Sequence, residues 1–577
     1  MNNIFIISFF YILSVISTLG YGFIFKKLFI KDKIKIDYGI SGLIGIFFLT
    51  LYSFISHFFI GHGLFHNSII ILFGLILFLI FFKSNYEKVN LNITSLIFLI
   101  LLISLFCFKT HDDFPYYHFP YTNYLTKTDL IVGIGNYDPS WRSASSIFYF
   151  NSLFYLPIIK FYLYHIGALL IMGFSLISIF LGAYQRYNLK IFDHIFFFQL
   201  LSFTFILVFF YRLSEHGTDR SAQILSFVLI LEILLLTIKD QDFETFCTKT
   251  FLIGCLAISL KVFYLIFLVL LIPVIVFLYK EKKYFYFKRI IKNKLLYLSV
   301  FFLVLLSVIN FLNSGCFIYP ITITCLDNFS WSVPIDEVQR MKIHYENWSK
   351  AGATPNFSVD NYENYVSKFN WLSGWIDRYF FNKVSDYLLG LGLLSIIFTI
   401  IFFSNKKKRN KKINLVLLYF SIVILFIEWF YNHPSLRYGG YYIIAMLIFI
   451  PLSKFLSSFQ IHEKKFLKKI VFILFLTISI FFYRNIDRIV KENEKYDYSP
   501  FKNIYYQIDE KHHFRVEKNF NEIIKFYNNC TEKRIRCTNE NKLLAFKKFN
   551  KYIFVKSSNY YLEENQSKYF YKKRKND

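Results

Sequence analysis

Charge is scarce in this sequence. Only 18% of its 577 residues are Asp, Glu, Lys or Arg, against 55% apolar. That shortage excludes an ordinary string of soluble domains and points to a membrane protein with many spans. Acids are scarcer than bases, 38 against 65, which gives a formal net charge of +27. The excess does not mark a nucleic-acid binder. Most lysines lie in short clusters between apolar runs, where they set membrane topology. No cleavable leader is expected. The first segment, 4–25, has no basic n-region and no small-residue cleavage site, and reads as a span. There is no internal repeat and no inverted pair of broken helices of the transporter kind. The seven cysteines do not make a zinc pattern, because no second pair or histidine doublet completes one.

What is present is a long series of apolar runs. A span needs about 20 apolar residues. That ruler gives segments near 4–24, 38–59, 67–82, 92–108, 160–184, 194–211, 221–238, 250–260, 262–279, 295–312, 386–404, 413–431, 439–456 and 468–483. The run 250–279 is too long for one untilted span and has Lys261 inside it, so it reads as a hairpin turning at Lys261. The linkers then alternate. One set, including KKLFIKDKIK, KEKKYFYFKRIIKNK and NKKKRNKK, is rich in Lys and Arg and faces the cytoplasm. The other set holds GHGLFHN, the stretch 109–157, YRLSEHGTDR, the long loop 313–384 and YNHPSLRYGG, and faces outward. The expected fold is therefore an all-α polytopic membrane protein of about 14 transmembrane helices over 1–483, with both termini outside. The tail, 484–577, is expected to add a small extracytoplasmic α/β domain. In it FNEIIKFYNN reads as a short helix and KYIFVKSSNYYL as a strand and turn.

Two cysteine pairs lie on the oxidising side, Cys316 with Cys325 and Cys530 with Cys537, and their close spacing suggests two disulfides. Cys107, Cys247 and Cys255 fall in spans or a cytoplasmic loop.

The densest chemistry is in the first long outer stretch, KTHDDFPYYHFPY. Asp112 and Asp113 leave the fourth span together. A half-buried carboxylate there can act as a general base toward an acceptor hydroxyl. With His111 or His118 the pair can also hold a hard cation such as Mg²⁺ or Mn²⁺. The plain alternative is the solvated end of a helix. A second cluster, SEHGTDR, brings Glu215 and Asp219 together, and Thr218 or Asp219 also suits a helix N-cap. A third, HPSLRYGG, puts Arg437 and Tyr438 at the start of a span, where an arginine can fork onto a phosphate or snorkel to the interface. Lys261 offers the same choice. Trp331, Trp348, Trp371 and Trp375 crowd the long outer loop and suit either sugar stacking or amphipathic helices on the bilayer surface.

The order of these features resembles that of C-fold (GT-C) glycosyltransferases, polytopic enzymes that take a sugar from a polyprenyl-phosphate carrier. The matching residues are an acid after an early span followed by Tyr-His-x-Pro (Asp112 to Tyr121), a Thr-Asp opening a later span (Thr218, Asp219), a Lys in an apolar hairpin (Lys261), and an Arg-Tyr opening a late span (Arg437, Tyr438). The chain looks closer still to a bacterial multi-pass family related to that group, through VGIGNYDPSWRSASS and the Ser314 to Pro320 motif. A close cysteine pair in the tail is similar too. The resemblance implies a base at Asp112 or Asp113 and cationic residues beside the lipid phosphate. His111, His118, Tyr117, Glu215, Asp219, Lys261, Arg437 and Tyr438 are then substrate-binding residues. It implies an inner-membrane protein with an extracytoplasmic active face, a polyprenyl-phosphate-linked sugar as donor, a glycan or lipid acceptor, and membrane lipids around it. The Trp-Trp-Asp-Tyr-Gly signature of oligosaccharyltransferases is absent. A ligase or polymerase of O-antigen would place arginines and a histidine in the long loop, which has few arginines. A transporter or flippase would carry charges in mid-span. The sequence shows few such charges, Glu428 and Lys261, both near predicted span ends. A non-enzymatic envelope assembly protein, with the tail as docking domain, is the remaining alternative.

Overall fold

A computed structural model describes residues 3–31, 34–107, 117–212, 217–280, 285–353, 359, 361–406, 415–460 and 463–496, and in the tail 525, 528–529, 537–538, 543–548 and 551–556. The described chain is overwhelmingly helical. Inside a bilayer no water can satisfy backbone groups, so apolar runs close their hydrogen bonds within helices. The helices are α1 (Asn3–Phe29), α2 (Tyr38–His57), α3 (Leu64–Asn85), α4 (Lys88–Leu101), α5 (Phe119–Lys127), α6 (Ser146–Ser152), α7 (Ile166–Asn188), α8 (His194–Phe209), α9 (Asp219–Thr237) and α10 (Phe243–Leu260). They continue with α11 (Leu271–Lys280), α12 (Phe285–Ile291), α13 (Lys294–Ser314), α14 (Ile335–Lys350), α15 (Tyr362–Val366), α16 (Leu372–Trp375), α17 (Ser385–Phe402), α18 (Val416–Asn432), α19 (Gly440–Leu456) and α20 (Glu463–Tyr496). Among the described residues, eleven helical segments are long and apolar enough to cross a membrane, and α8, α18 and α19 are shorter apolar helices. The apolar runs found in the sequence fall largely on these helices, with 3₁₀ stretches at 102–106, 161–163 and 262–270, and α20 continues past residue 483.

The interior of the bundle is α2, α7 and α9, whose surfaces are almost wholly covered by neighbours. By contrast α3, α17 and α20 leave most of their apolar surface open, as lipid-facing helices do. Packing of α1 on α3 is close enough to require glycine. A Cβ on Gly20 would stand 2.0 Å from the Gly74 carbonyl oxygen. Four helices begin at the lysine-rich end on a side-chain cap: Asp37 for α2, Asp193 for α8, Asp242 for α10 and Asn293 for α13. At that end Arg186 holds Asp193 and Asp240.

Two details adjust the reading of the sequence. Residues 243–280 are not one long helix. Lys261 is extended (φ −160°, ψ 130°), α10 stops at Leu260, and a 3₁₀ stretch Val262–Leu270 leads into α11. Both α10 and α11 pack on α9, with the helical run interrupted at Lys261. Charge inside the apolar helices is also greater than expected. Glu232 of α9 is buried and takes Lys249 of α10 at 3.0 Å, a pair that neutralises what a lone ion could not afford in that setting.

The opposite, polar end is built from the segment 117–165, the segment 315–371 and the tail. Cys316 and Cys325 are joined by a disulfide. The described tail strands are β1 (Cys537–Thr538), β2 (Leu543–Lys548) and β3 (Lys551–Lys556), an antiparallel sheet in that order. The sheet adds onto the first polar segment. Val132 pairs in parallel with Ile553, donating from its N–H to the Tyr552 carbonyl at 2.9 Å and accepting from the Phe554 N–H at 2.8 Å. Lys551 reaches the Asp129 carboxylate and the Phe58 carbonyl. Gly133 makes this approach feasible. Its φ is +74°, and a Cβ there would meet the Phe554 carbonyl oxygen at 2.2 Å. Cys530 lies outside the described residues, as does most of the tail.

Gly133→Val should therefore release the tail sheet, at a cost of about 2–4 kcal/mol from backbone strain and the clash. Limited proteolysis in detergent reads this as faster cleavage between residues 537 and 556. Wild-type protection in the variant would contradict the docking.

Candidate functional site

The site forms where α9 starts, α10 ends and α19 starts. Thr218 precedes α9, but its side chain makes no capping bond, and Asp219 is the first helical residue. The Asp219 carboxylate turns to two cations instead. Its Oδ1 accepts from Lys261 Nζ at 2.6 Å and its Oδ2 from Arg437 Nε at 3.1 Å. Lys261 Nζ also lies 4.0 Å from the Tyr438 ring centroid, a cation–π contact. Neighbouring side chains fix the geometry. Tyr264 donates its hydroxyl to the Asp219 carbonyl at 3.0 Å. Gln223, one turn along α9, donates to the Arg437 carbonyl and accepts from the Tyr442 N–H, both at 3.0 Å.

The turn carrying Arg437 is held by aromatic residues. Trp375 donates to the Pro434 carbonyl at 2.8 Å and Trp429 to the Ser435 carbonyl at 2.9 Å. The Tyr379 hydroxyl accepts from the Leu436 N–H at 2.8 Å. His433, in the same turn, has a buried Nδ1 with no hydrogen-bond partner among the described residues. Burial, and then the charges of Lys261, Lys350 and Lys342, hold its imidazole down to about 4. His433 is thus a neutral donor or acceptor in a basic surround.

The segment 117–165 abuts this cluster. At the start of α6, Ser145 donates to the Leu260 carbonyl at 2.7 Å, and Ser146 and Ser259 share a hydroxyl bond at 2.7 Å. Those bonds lie beside Lys261. His118 and Tyr117 sit at the start of α5 with ring centroids 4.2 Å apart, and the His118 ring packs against Phe148 of α6. Behind them Arg142, fully buried, donates to the Gly135 carbonyl at 3.1 Å, to the Tyr319 hydroxyl at 3.3 Å and to the Glu337 carboxylate at 2.5 Å.

Asp219, Lys261, Arg437 and Tyr438 are therefore brought together, and His118 and Tyr117 stand on the segment next to them. His111, Asp112, Asp113 and Glu215 lie outside the described residues. Among the described residues, no group of three His, Cys, Asp or Glu is arranged to hold a metal ion. Sequence reasoning missed Gln223, which its spacing of four from Asp219 on one helix face could have revealed. It also missed Tyr264 and the Arg142–Glu337 pair, whose partners are too far apart in sequence to leave a local signal. Residues 3–444 match a family described as a domain of unknown function, DUF8201. The chain belongs to that family. All the residues of the cluster fall within the DUF8201 match, while the tail sheet lies beyond it. No curated protein and no solved structure matches the chain.

The depressed imidazole of His433 gives a pH prediction. In the unfolded chain a histidine takes its proton near pH 6.5, whereas here it does so near 4. Its contribution to stability is full above pH 6.5 and is lost as pH falls toward 4. Thermal melts in detergent across that window should show a shallower decline for His433→Gln than for wild type. Identical slopes would mean that His433 is not held neutral.

Proposed function

We propose that the protein is an integral-membrane glycosyltransferase, moving a sugar from a polyprenyl-phosphate donor to a glycan or lipid acceptor of the cell envelope. The observation that carries this reading is the cationic cluster at the polar end. Lys261 and Arg437 share one carboxylate, and Lys342 adds its charge around His433, while the buried Lys350 nearby is paired with Glu346. An anionic headgroup carried by a lipid fits such a place at the edge of a helical bundle. In this reading all fourteen apolar segments cross the cytoplasmic membrane of a bacterium, and the polar end is extracytoplasmic. The lysine-rich linkers at the other end and the Cys316–Cys325 disulfide support that orientation. The tail is a small α/β domain on the same side.

The reaction needs a base and a stabilised leaving group. A carboxylate of the 109–157 stretch takes the proton of the acceptor hydroxyl, and Asp112 and Asp113 are the candidates that the resemblance supplies. The acceptor oxygen attacks the anomeric carbon, the bond to the lipid phosphate breaks, and the electron pair leaves on the phosphate. Lys261 and Arg437 stabilise that charge, so a general acid is not needed. Should Mg²⁺ or Mn²⁺ be required, Asp112 and Asp113 with His111 or His118 supply ligands suited to a hard cation.

The test is transfer from radiolabelled polyprenyl-phosphate sugars to envelope acceptors by protein reconstituted in liposomes. Lys261→Ala and Arg437→Ala should each slow transfer about 100-fold or more. Wild-type rates in both variants would sink the assignment of the phosphate site.

A further inference from the structure

The loop that follows α13 is apolar on its outside. Ile323 is 92% exposed, and Phe317, Ile321, Leu326 and Phe329 are exposed around it. One such side chain would need no explanation, but five on a short stretch make a patch. The loop is closed on itself. Cys316 and Cys325 are joined, the Phe317 N–H donates to the Thr324 carbonyl at 3.1 Å, and the Leu326 N–H donates to the Gly315 carbonyl at 2.9 Å. Two of its polar side chains turn inward. The Thr324 hydroxyl accepts from the Ile318 N–H at 3.1 Å and donates to the Ile321 carbonyl at 2.8 Å. The buried Tyr319 hydroxyl accepts from Arg142 at 3.3 Å. A loop with its backbone bonded internally and its apolar side chains outward suits surroundings poorer in water than the bulk.

The place of the loop in the chain says what those surroundings are. It leaves the end of α13, an apolar helix with most of its surface open. The 21 residues of α13 rise about 31 Å, the thickness of the hydrocarbon core, so its end lies at the boundary with water. From Leu295 to Leu326 the sequence has no charged residue. The uncharged stretch thus runs past the helix, through the loop, and stops at Asp327. Aromatic rings bridge helix and loop. Phe311 stacks on Phe317 with centroids 4.8 Å apart and meets Phe329 and Trp331 edge-on at 5.3 and 6.1 Å. Trp331 also donates its Nε1–H to the Phe311 carbonyl at 3.3 Å. A tryptophan with an apolar body and a bonded N–H is typical of the membrane–water boundary. A protein partner fits less well, because five side chains fall short of the roughly 20–30 residues a side that a stable interface uses.

We infer that the loop 315–329 binds the bilayer at the polar end of the bundle, with Ile323 and its apolar neighbours seated among the upper acyl chains. The surface of α13 that faces lipid and the outside of the loop are then one continuous contact. The inner side of the loop holds the protein. Tyr319 ties it to Arg142, and Arg142 ties it to Glu337 of α14. The loop therefore sets the height of the polar segments above the membrane. This inference is independent of the glycosyltransferase reading.

The experiment uses the full-length protein in phosphatidylcholine liposomes. Ile323→Trp adds a fluorophore at the most exposed point of the loop, and its emission is read as the difference from wild type. That emission should be shifted to the blue. It should be lost when the phosphatidylcholine is brominated in the upper acyl chain, and kept when iodide is added to the water. Ile321→Trp is the second variant, read in the same way, should the first fail to fold. Loss to iodide with no loss to the brominated lipid would overturn the inference, since the loop would then stand in water. Loss to neither quencher would overturn it as well, because a protein surface, such as a second copy of this chain, would then cover the patch.

Discussion

The polar end of this protein depends on one carboxylate. Asp219 ties together chain segments 42 and 218 residues away from it. Its own side chain is almost fully buried, where an unpaired anion would be costly. Two cations satisfy it, and it keeps those cations from repelling each other apart. The turn at Lys261, the start of α9 and the start of α19 are consequently one unit. Tyr264, Gln223 and the aromatic residues around Ser435 hold the backbone of that unit in place.

A second constraint passes through the first polar segment. Val132 receives the tail strand, and the Gly133 N–H reaches the Leu312 carbonyl at 2.6 Å. Asn136 donates to both Trp331 and Phe554 carbonyls. Arg142 then meets Glu337 with neither side chain exposed. Such a buried pair adds little net stability over apolar residues of the same shape, but losing one partner is expensive. The arrangement fixes which loop sits against which, holding the backbone around Arg142 against α14.

Much of this was legible in the sequence, for physical reasons. Apolar runs of span length declare helices because the bilayer allows little else. The break at Lys261 was legible because 30 apolar residues with one lysine in the middle exceed a single crossing. Asp219, Lys261 and Arg437 stood out as charges at the ends of greasy segments. Their meeting on one carboxylate was not legible, since no spacing rule connects positions so far apart. Glu232 and Lys249 were hidden for different reasons: Glu232 sits in the long apolar run 221–238, and Lys249 reads as one more lysine of the linker KDQDFETFCTK. The strand KYIFVK shows its own alternation, yet nothing local in VGIGN announces that it will be the partner. The glycine at 133 makes sense only once the Phe554 carbonyl is seen 2.2 Å from where a Cβ would be.

The direction of burial in the cluster bears on what it can do. The Asp219 side chain is 3% exposed, Lys261 29% and Arg437 24%. The anion lies behind and the cations in front. Were the order reversed, with a carboxylate at the rim, an approaching phosphate would meet repulsion first. Under the proposed function, a lipid phosphate would meet the cations first while Asp219 stays fixed to their far side. The carboxylate sets the position of the cations, and two cations on one anion leave a net positive field on the open side.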